Sequence, residues 1–203
     1  MKIYLIRHGQ TDWNIAGKIQ GSHDIPLNET GIRQAEQLAE AMDTRPVARI
    51  FSSTLARAKE TAEKIGKRQQ VEVCPMEQLI EVEFGKWEGL TWEEIQKAYP
   101  REYGYWSINP AEAAPPEGER YETIMNRCIQ AWNQILKITN GREDTAIVSH
   151  GATLAHLFSY LMRNAPQEDH VIVGNASITS IEYNPLTEDF VLLDRNDSTH
   201  LKG

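Results

Sequence analysis

The chain of 203 residues carries 21 Lys and Arg against 29 Asp and Glu, a formal net charge of −8, which argues against nucleic acid or an anionic membrane surface as partner, because both reward an excess of cations. With 40% hydrophobic and 25% charged residues it has the composition of an ordinary soluble globular protein, expected to fold as one domain over 1–203 without help from disulfides or metal. Cys74 and Cys128 make neither a CxxC nor a zinc-type spacing, and the apolar start Met1 to Ile6 runs straight into Arg7, so reduced thiols, a cytoplasmic location and no membrane span are expected.

Ile3 to Ile6 is a continuous, β-branched-rich run. It predicts a strand buried on both faces that ends at Arg7-His8-Gly9. Gln10 to Leu27 reads as a polar loop. Asn28 then caps a helix whose Ile32, Ala35, Leu38, Ala39 and Met42 make one apolar stripe. Ala48 to Ser53 predicts a second strand. Ser53 or Thr54 is the expected cap of the next helix, Leu55 to about Lys67, which places Arg57 in a first helical turn. Val71 to Cys74 reads as a third, short strand.

The stretch from Trp87 to Gly118 holds half of the chain's Trp and Tyr residues. It reads equally as a cap segment inserted over the sheet or as aromatic packing that holds a loop down. Tyr121 to Thr139 shows Ile124, Cys128, Ala131, Trp132, Ile135 and Ile138 on one helical face. Thr145 to Ser149 predicts a fourth strand, ending at His150-Gly151 and followed by an apolar helix from Ala152 to about Met162. Ser177 to Tyr183 and Phe190 to Asp194 form a hairpin through the turn sequence Asn184-Pro185-Leu186-Thr187. The alternation predicts an α/β fold, a three-layer α/β/α sandwich around a mostly parallel sheet with an antiparallel edge strand.

Arg7 and His8, Arg57, and His150 each fall where a predicted strand ends. In open α/β sheets ligands bind at those ends, where loops and helix N-termini converge. Two arginines and two histidines there make a small cationic pocket suited to a phosphoryl or carboxylate group. Taken singly, each would be an ordinary surface or structural residue; their common placement is the signal. Metal binding by His8, Asp12, Asp24 and His150 is disfavoured, since none has helical metal-motif spacing and the guanidiniums would repel a cation. His23, His156, His170 and His200 have no comparable setting.

The run Leu5-Ile6-Arg7-His8-Gly9-Gln10-Thr11-Asp12-Trp13-Asn14 resembles the signature of the histidine phosphatase superfamily, the phosphoglycerate mutase-like proteins. Gln20-Gly21 through Leu27, Ser52 through Ala62, Leu79-Ile80-Glu81, Phe84 through Gly89 and Val148-Ser149-His150-Gly151 resemble further blocks in the family's order. The resemblance implies a phosphoglycerate mutase-like fold and phosphoryl transfer without metal or other cofactor. It implies that His8 is the nucleophile and that Arg7, Arg57 and His150 hold the phosphoryl oxygens. Asn14, Gln20, Gly21 and Gly151 would complete the binding site. A period of two in Ile80 to Phe84 puts Glu81 and Glu83 on one side and cannot choose a proton donor between them; the resemblance implies Glu81. The segment Glu81 to Gly89 is similar to the broad-specificity and α-ribazole-type phosphatase branch. Hydrolysis of a small phosphorylated metabolite is therefore expected, with phosphoglycerate mutase or an inactive phospholigand-binding protein as the alternatives. Gly118-Glu119-Arg120 departs from the family's Gly-Glu-Ser, and Ala152 stands where a second Gly is common.

Overall fold

In the computed structural model, which describes residues 1–164 and 174–202, the apolar runs form the middle of one six-stranded sheet. Its strands are β1 (Lys2–Arg7), β2 (Arg49–Ser52), β3 (Val73–Pro75), β4 (Thr145–Ser149), β5 (Ile178–Asn184) and β6 (Asp189–Asp197), in the order β3-β2-β4-β1-β5-β6. β1 lies parallel to β4 with Leu5 opposite Ile147, and β2 lies parallel to β4 and β3. β5 runs antiparallel to β1, and β6 antiparallel to β5. The expected mostly parallel sheet is observed, with an antiparallel edge two strands wide.

Side chains alternate across β1, so Ile3 and Leu5 enter one core while Tyr4 and Ile6 enter the other. The first core lies under α6 (Tyr121–Thr139) and α7 (Gly151–Leu161); the second lies under α2 (Glu29–Ala41) and α3 (Ala56–Gln69). This is why β1 and β4 read as unbroken apolar runs rather than as alternating ones. Both cysteines are free thiols, Cys74 exposed and Cys128 buried. Burial pushes the Cys128 thiol up to about 11. Among the described residues no helix is long and apolar enough to cross a membrane.

Three local expectations are corrected. Neither Ser53 nor Thr54 caps α3, whose N-cap is Leu55 without a side-chain bond. The Asp24 carboxylate instead accepts from Ala56 N at 2.7 Å, and the Ser53 hydroxyl is turned toward His150. The loop after β1 contains a short helix, α1 (Asp12–Ile15), closed by a capping box between Thr11 and Asn14. Finally, Ile80 to Phe84 is not a strand, so a period of two does not apply to it.

The aromatic stretch carries α4 (Trp92–Ala98) and α5 (Pro100–Ile108) around a small core of its own, in which buried Trp87 and Ile95 pack with Ile19. Trp87 meets Trp106 edge to face with centroids 5.4 Å apart. Two backbone bonds, Ile19 N to Leu90 O at 2.9 Å and Gly89 N to Ile19 O at 2.8 Å, fasten the start of this stretch to the loop between α1 and α2.

Candidate active site

His8 follows the last residue of β1 and is 2% exposed. Its Nδ1 donates to the Gly9 carbonyl at 2.7 Å, which leaves Nε2 as the free ring nitrogen. The backbone that carries it is held from several sides. His8 N donates to Ser149 O at 3.0 Å, Gly9 N to Thr61 Oγ1 at 3.1 Å, and Ala176 N to both Arg7 O and His8 O at 3.1 Å. Asn175 adds its amide, donating to His8 O at 3.1 Å, Gly9 O at 3.3 Å and Asn14 Oδ1 at 3.1 Å. A Cβ at position 9 would overlap the Gly31 carbonyl, so glycine is what lets α2 approach this strand end.

Around His8 the chain concentrates buried positive charge. Arg57 is fully buried; Nη1 donates to His23 O at 2.7 Å, Nη2 to Gly21 O at 3.0 Å, and Nε has no partner among the described residues. A Cβ on Gly151 would lie 3.6 Å from Arg7 Cζ, so the Arg7 guanidinium sits against the first turn of α7. The His150 ring lies 5.1 Å from the His8 ring, with Nε2 at 2.8 Å from Ser53 Oγ and Nδ1 buried without a partner among the described residues. Burial, then Arg7 and Arg57, hold His8 well below the ordinary histidine range. Burial, then His8, Arg57 and Arg7, do the same to His150. Both imidazoles are therefore neutral at neutral pH.

The loop between α1 and α2 supplies the rest of the enclosure. Gly21 has φ +52°, and a Cβ there would overlap the Glu88 carboxylate. Glu88 in turn accepts from Ser22 N at 3.1 Å, His23 Nδ1 at 2.6 Å and Phe84 N at 2.9 Å, tying the loop that holds Arg57 to the segment that follows Glu81. Gln20 is nearly buried with Oε1 unpartnered among the described residues. Asn14 uses its oxygen on Thr11 N at 3.0 Å and on Asn175.

Tertiary contacts separate the two carboxylates that sequence pattern leaves equal. Glu81 lies at the N-terminus of α7, where Oε1 accepts from Val82 N at 2.9 Å and Thr153 N at 3.0 Å, and Oε2 from Ala152 N at 3.3 Å, while the Thr153 hydroxyl donates to Ile80 O at 2.6 Å. Its charge also bears on Arg7 and Arg57. Glu83 is exposed. Behind Glu81, Arg127 grips the backbone carbonyls of Gln78 at 3.0 Å and Ile80 at 2.9 Å and is itself held by both oxygens of Glu119.

Arg7, His8, Arg57, Glu81, His150 and Gly151 thus come together at the carboxyl ends of β1, β2 and β4, with Asn14, Gln20 and Gly21 alongside. Arg120 is exposed at the start of α6, and His170 lies outside the described residues. Ser53, expected only as a helix cap, and Glu88, Arg127 and Asn175 are not among the site residues the sequence points to. Each acts on a partner distant in sequence, so no local spacing marks it. His23 also proves part of the enclosure, through its backbone carbonyl.

Two buried neutral histidines make stability depend on pH. The unfolded chain takes up protons near pH 6.5 while the folded chain resists them, so stability is level above about pH 7 and falls as pH drops below about 6.5. Each group contributes a slope of at most about 1.4 kcal/mol per pH unit, and half-buried His200, also depressed by burial, adds in the same direction. Urea midpoints at pH 7.5, 6.5 and 5.5 check this; equal midpoints would mean that His8 and His150 are charged in the folded protein.

Comparison with known proteins gives the family and the fold. The profile of the histidine phosphatase superfamily (branch 1) matches residues 3–197. The chain is 32% identical over 209 residues to the probable phosphoglycerate mutase GpmB of Proteus mirabilis (strain HI4320), covering 99% of this chain and 95% of that protein. It superposes with a TM-score of 0.83 and 32% identity on phosphoserine phosphatase from Entamoeba histolytica in complex with 3-phosphoglyceric acid, covering 99% of both chains. The α-ribazole phosphatase from Shigella flexneri gives a TM-score of 0.85 and 27% identity, covering 97% of this chain and 96% of the other.

Proposed function

The chain belongs to the histidine phosphatase superfamily (branch 1), and from that premise we propose that it hydrolyses small-molecule phosphomonoesters, without metal, through a phosphohistidine on His8. One observation carries the reading. Arg57 Nε and His150 Nδ1 are buried polar nitrogens with no protein partner among the described residues, on two side chains that neighbour His8: the His150 ring centroid lies 5.1 Å from that of His8, and the Arg57 charge bears on it. A buried donor left unpaired costs on the order of 1–3 kcal/mol. A tetrahedral oxyanion in this place satisfies both nitrogens.

The steps follow from the residues. His8 Nε2 attacks phosphorus in line as the bond to the ester oxygen breaks, and Nδ1 stays hydrogen-bonded to Gly9 O, so the ring keeps its orientation. Arg7, Arg57 and His150 offset the charge spread over the equatorial oxygens, with Asn14, Gln20, Gly21 and Gly151 around the group. Glu81 gives the leaving oxygen its proton. Its Oε1 accepts from two backbone N–H groups and Oε2 from one at longer range, so Oε2 is the oxygen with room to carry the proton. The same carboxylate then takes a proton from the water that cleaves the phosphohistidine. Positive charge from two guanidiniums stands where other phosphoryl-transfer enzymes use a metal ion.

The test is turnover of p-nitrophenyl phosphate, phosphoserine, 3-phosphoglycerate and α-ribazole 5′-phosphate in the presence of EDTA. Hydrolysis of at least one supports the reading. Binding without turnover of any of them would make the chain a phospholigand-binding protein. The GpmB likeness supports a second reading, phosphoglycerate mutase, and interconversion of 3- and 2-phosphoglycerate stimulated by bisphosphoglycerate would establish it. Within the phosphatase reading, Arg57→Ala removes a buried charged donor, and inhibition by vanadate should weaken about 10- to 100-fold, in line with about 1.5–3 kcal/mol for a charged hydrogen bond. Unchanged inhibition would place Arg57 outside the binding site.

A further inference from the structure

We propose that Ser53 is the positioning residue that selects the tautomer of His150, so that the ring presents Nδ1–H, rather than a bare nitrogen, to the phosphoryl group. The identity of the acceptor rests on the phosphatase reading; the tautomer itself is a property of the free protein. Ser53 and His150 are both fully buried, so every hydrogen between them must be accounted for within the protein. Ser53 Oγ accepts from Leu55 N at 3.2 Å and lies 2.8 Å from His150 Nε2. The hydroxyl has one hydrogen, and among the described residues His150 Nε2 is the acceptor it meets.

Two arrangements exist for the neutral ring. If Ser53 donates to Nε2, then Leu55 N–H, Ser53 O–H and Nε2 are all satisfied, and the ring proton sits on Nδ1. If instead Nε2–H donates to Ser53, the hydroxyl hydrogen is stranded in the interior and Nδ1 is a bare lone pair. The first strands nothing but a donor that a phosphoryl oxygen can satisfy. The second buries an unsatisfied hydroxyl hydrogen and turns a lone pair toward an anion.

Protonating both nitrogens does not escape this choice. The charged and titratable groups that bear on His150 are His8 and Arg7 from the end of β1, Arg57 from α3 and Arg127 from α6, and all of them disfavour a positive ring. A neutral histidine in that company can serve as a phosphoryl donor only if its single hydrogen is on the correct nitrogen. Ser53 places it there through its contact with the other ring nitrogen, Nε2, and the sheet register brings the two residues together: Ser52, the last residue of β2, pairs with Val148, two residues before His150. Ser53 N donates to Val148 O at 3.0 Å, which carries the pairing on to Ser53 itself.

Long-range proton–nitrogen NMR on protein labelled with ¹⁵N-histidine tests the proposal on the free protein. The expected result is a protonated Nδ1 and a bare Nε2 for His150, unchanged from pH 5.5 to 8. A bare Nδ1, or a doubly protonated ring at pH 7, would overturn it. Ser53→Ala should then give a mixture of tautomers and weaken inhibition by inorganic phosphate about 10-fold; Ser53→Thr, which keeps the hydroxyl, should restore both. If the wild-type tautomer is as expected but Ser53→Ala binds phosphate as the wild type does, the phosphoryl acceptor is wrong and the proposal falls with it. Failure of the phosphatase reading alone shows differently, as absent turnover in the wild type with the tautomer intact.

Discussion

His8→Ala is expected to abolish turnover, a loss of about 10⁴- to 10⁶-fold of the kind seen when a covalent nucleophile is removed, together with all acid-labile phosphate on the protein. The structure makes this a clean substitution. The ring's own hydrogen bond runs to the next carbonyl, Gly9 O, and that carbonyl keeps a second donor in Asn175 Nδ2 at 3.3 Å. The backbone of residue 8 stays tied to Ser149 and Ala176. The cations also stay, so the variant should still bind phosphomonoesters. Rapid quench with a ³²P-labelled substrate gives the measurement: label that survives at another residue in His8→Ala rejects the nucleophile assignment.

Glu81→Gln should lower kcat/KM about 10²- to 10⁴-fold for alkyl phosphates and much less for p-nitrophenyl phosphate, whose leaving group departs without a proton. An amide oxygen can keep the bonds from Val82 N and Thr153 N, so the fold around the N-terminus of α7 persists. The loss of a negative charge there costs about 0.3–1 kcal/mol from the helix dipole, far too little to account for the catalytic effect. Glu83→Gln, on an exposed side chain, is the control. Equal losses for good and poor leaving groups would show that Glu81 acts on something other than the leaving oxygen.

The two carboxylates show where a linear reading stops. Glu81 and Glu83 are distinguished by which one reaches Ala152 N and Thr153 N, some seventy residues along the chain. Arg127 fixes that reach by holding Ile80 O, and it belongs to α6, where its spacing marks it only as a polar position outside the apolar stripe. Asn175 acts on carbonyls of His8 and Gly9 from more than 160 residues away. Glu88, in a stretch read for its aromatics, turns out to hold the loop whose carbonyls grip Arg57. Even Ser53, read as a helix cap, is taken up by His150 because the β2–β4 register brings them side by side.

What could be read along the chain was periodicity and punctuation. A strand buried on both faces must be apolar throughout, and a helix on a sheet must be apolar on one stripe, so β1, β4, α2 and α6 announced themselves within a residue or two. Charged residues directly after such strands had to fall at the sheet's carboxyl edge, which is why Arg7, His8, Arg57 and His150 could be placed together before any contact was known. The composition, acidic overall, had already implied that positive charge for an anionic ligand must be local. The orientation of each polar group was not readable in this way, because a hydrogen bond is decided by the partner across the fold and not by the neighbour in sequence. Which carboxylate faces the pocket, which nitrogen of each histidine is free, and which carbonyls hold Arg57 were settled only when the sheet closed and brought strand ends, loop and helix N-terminus into one enclosure.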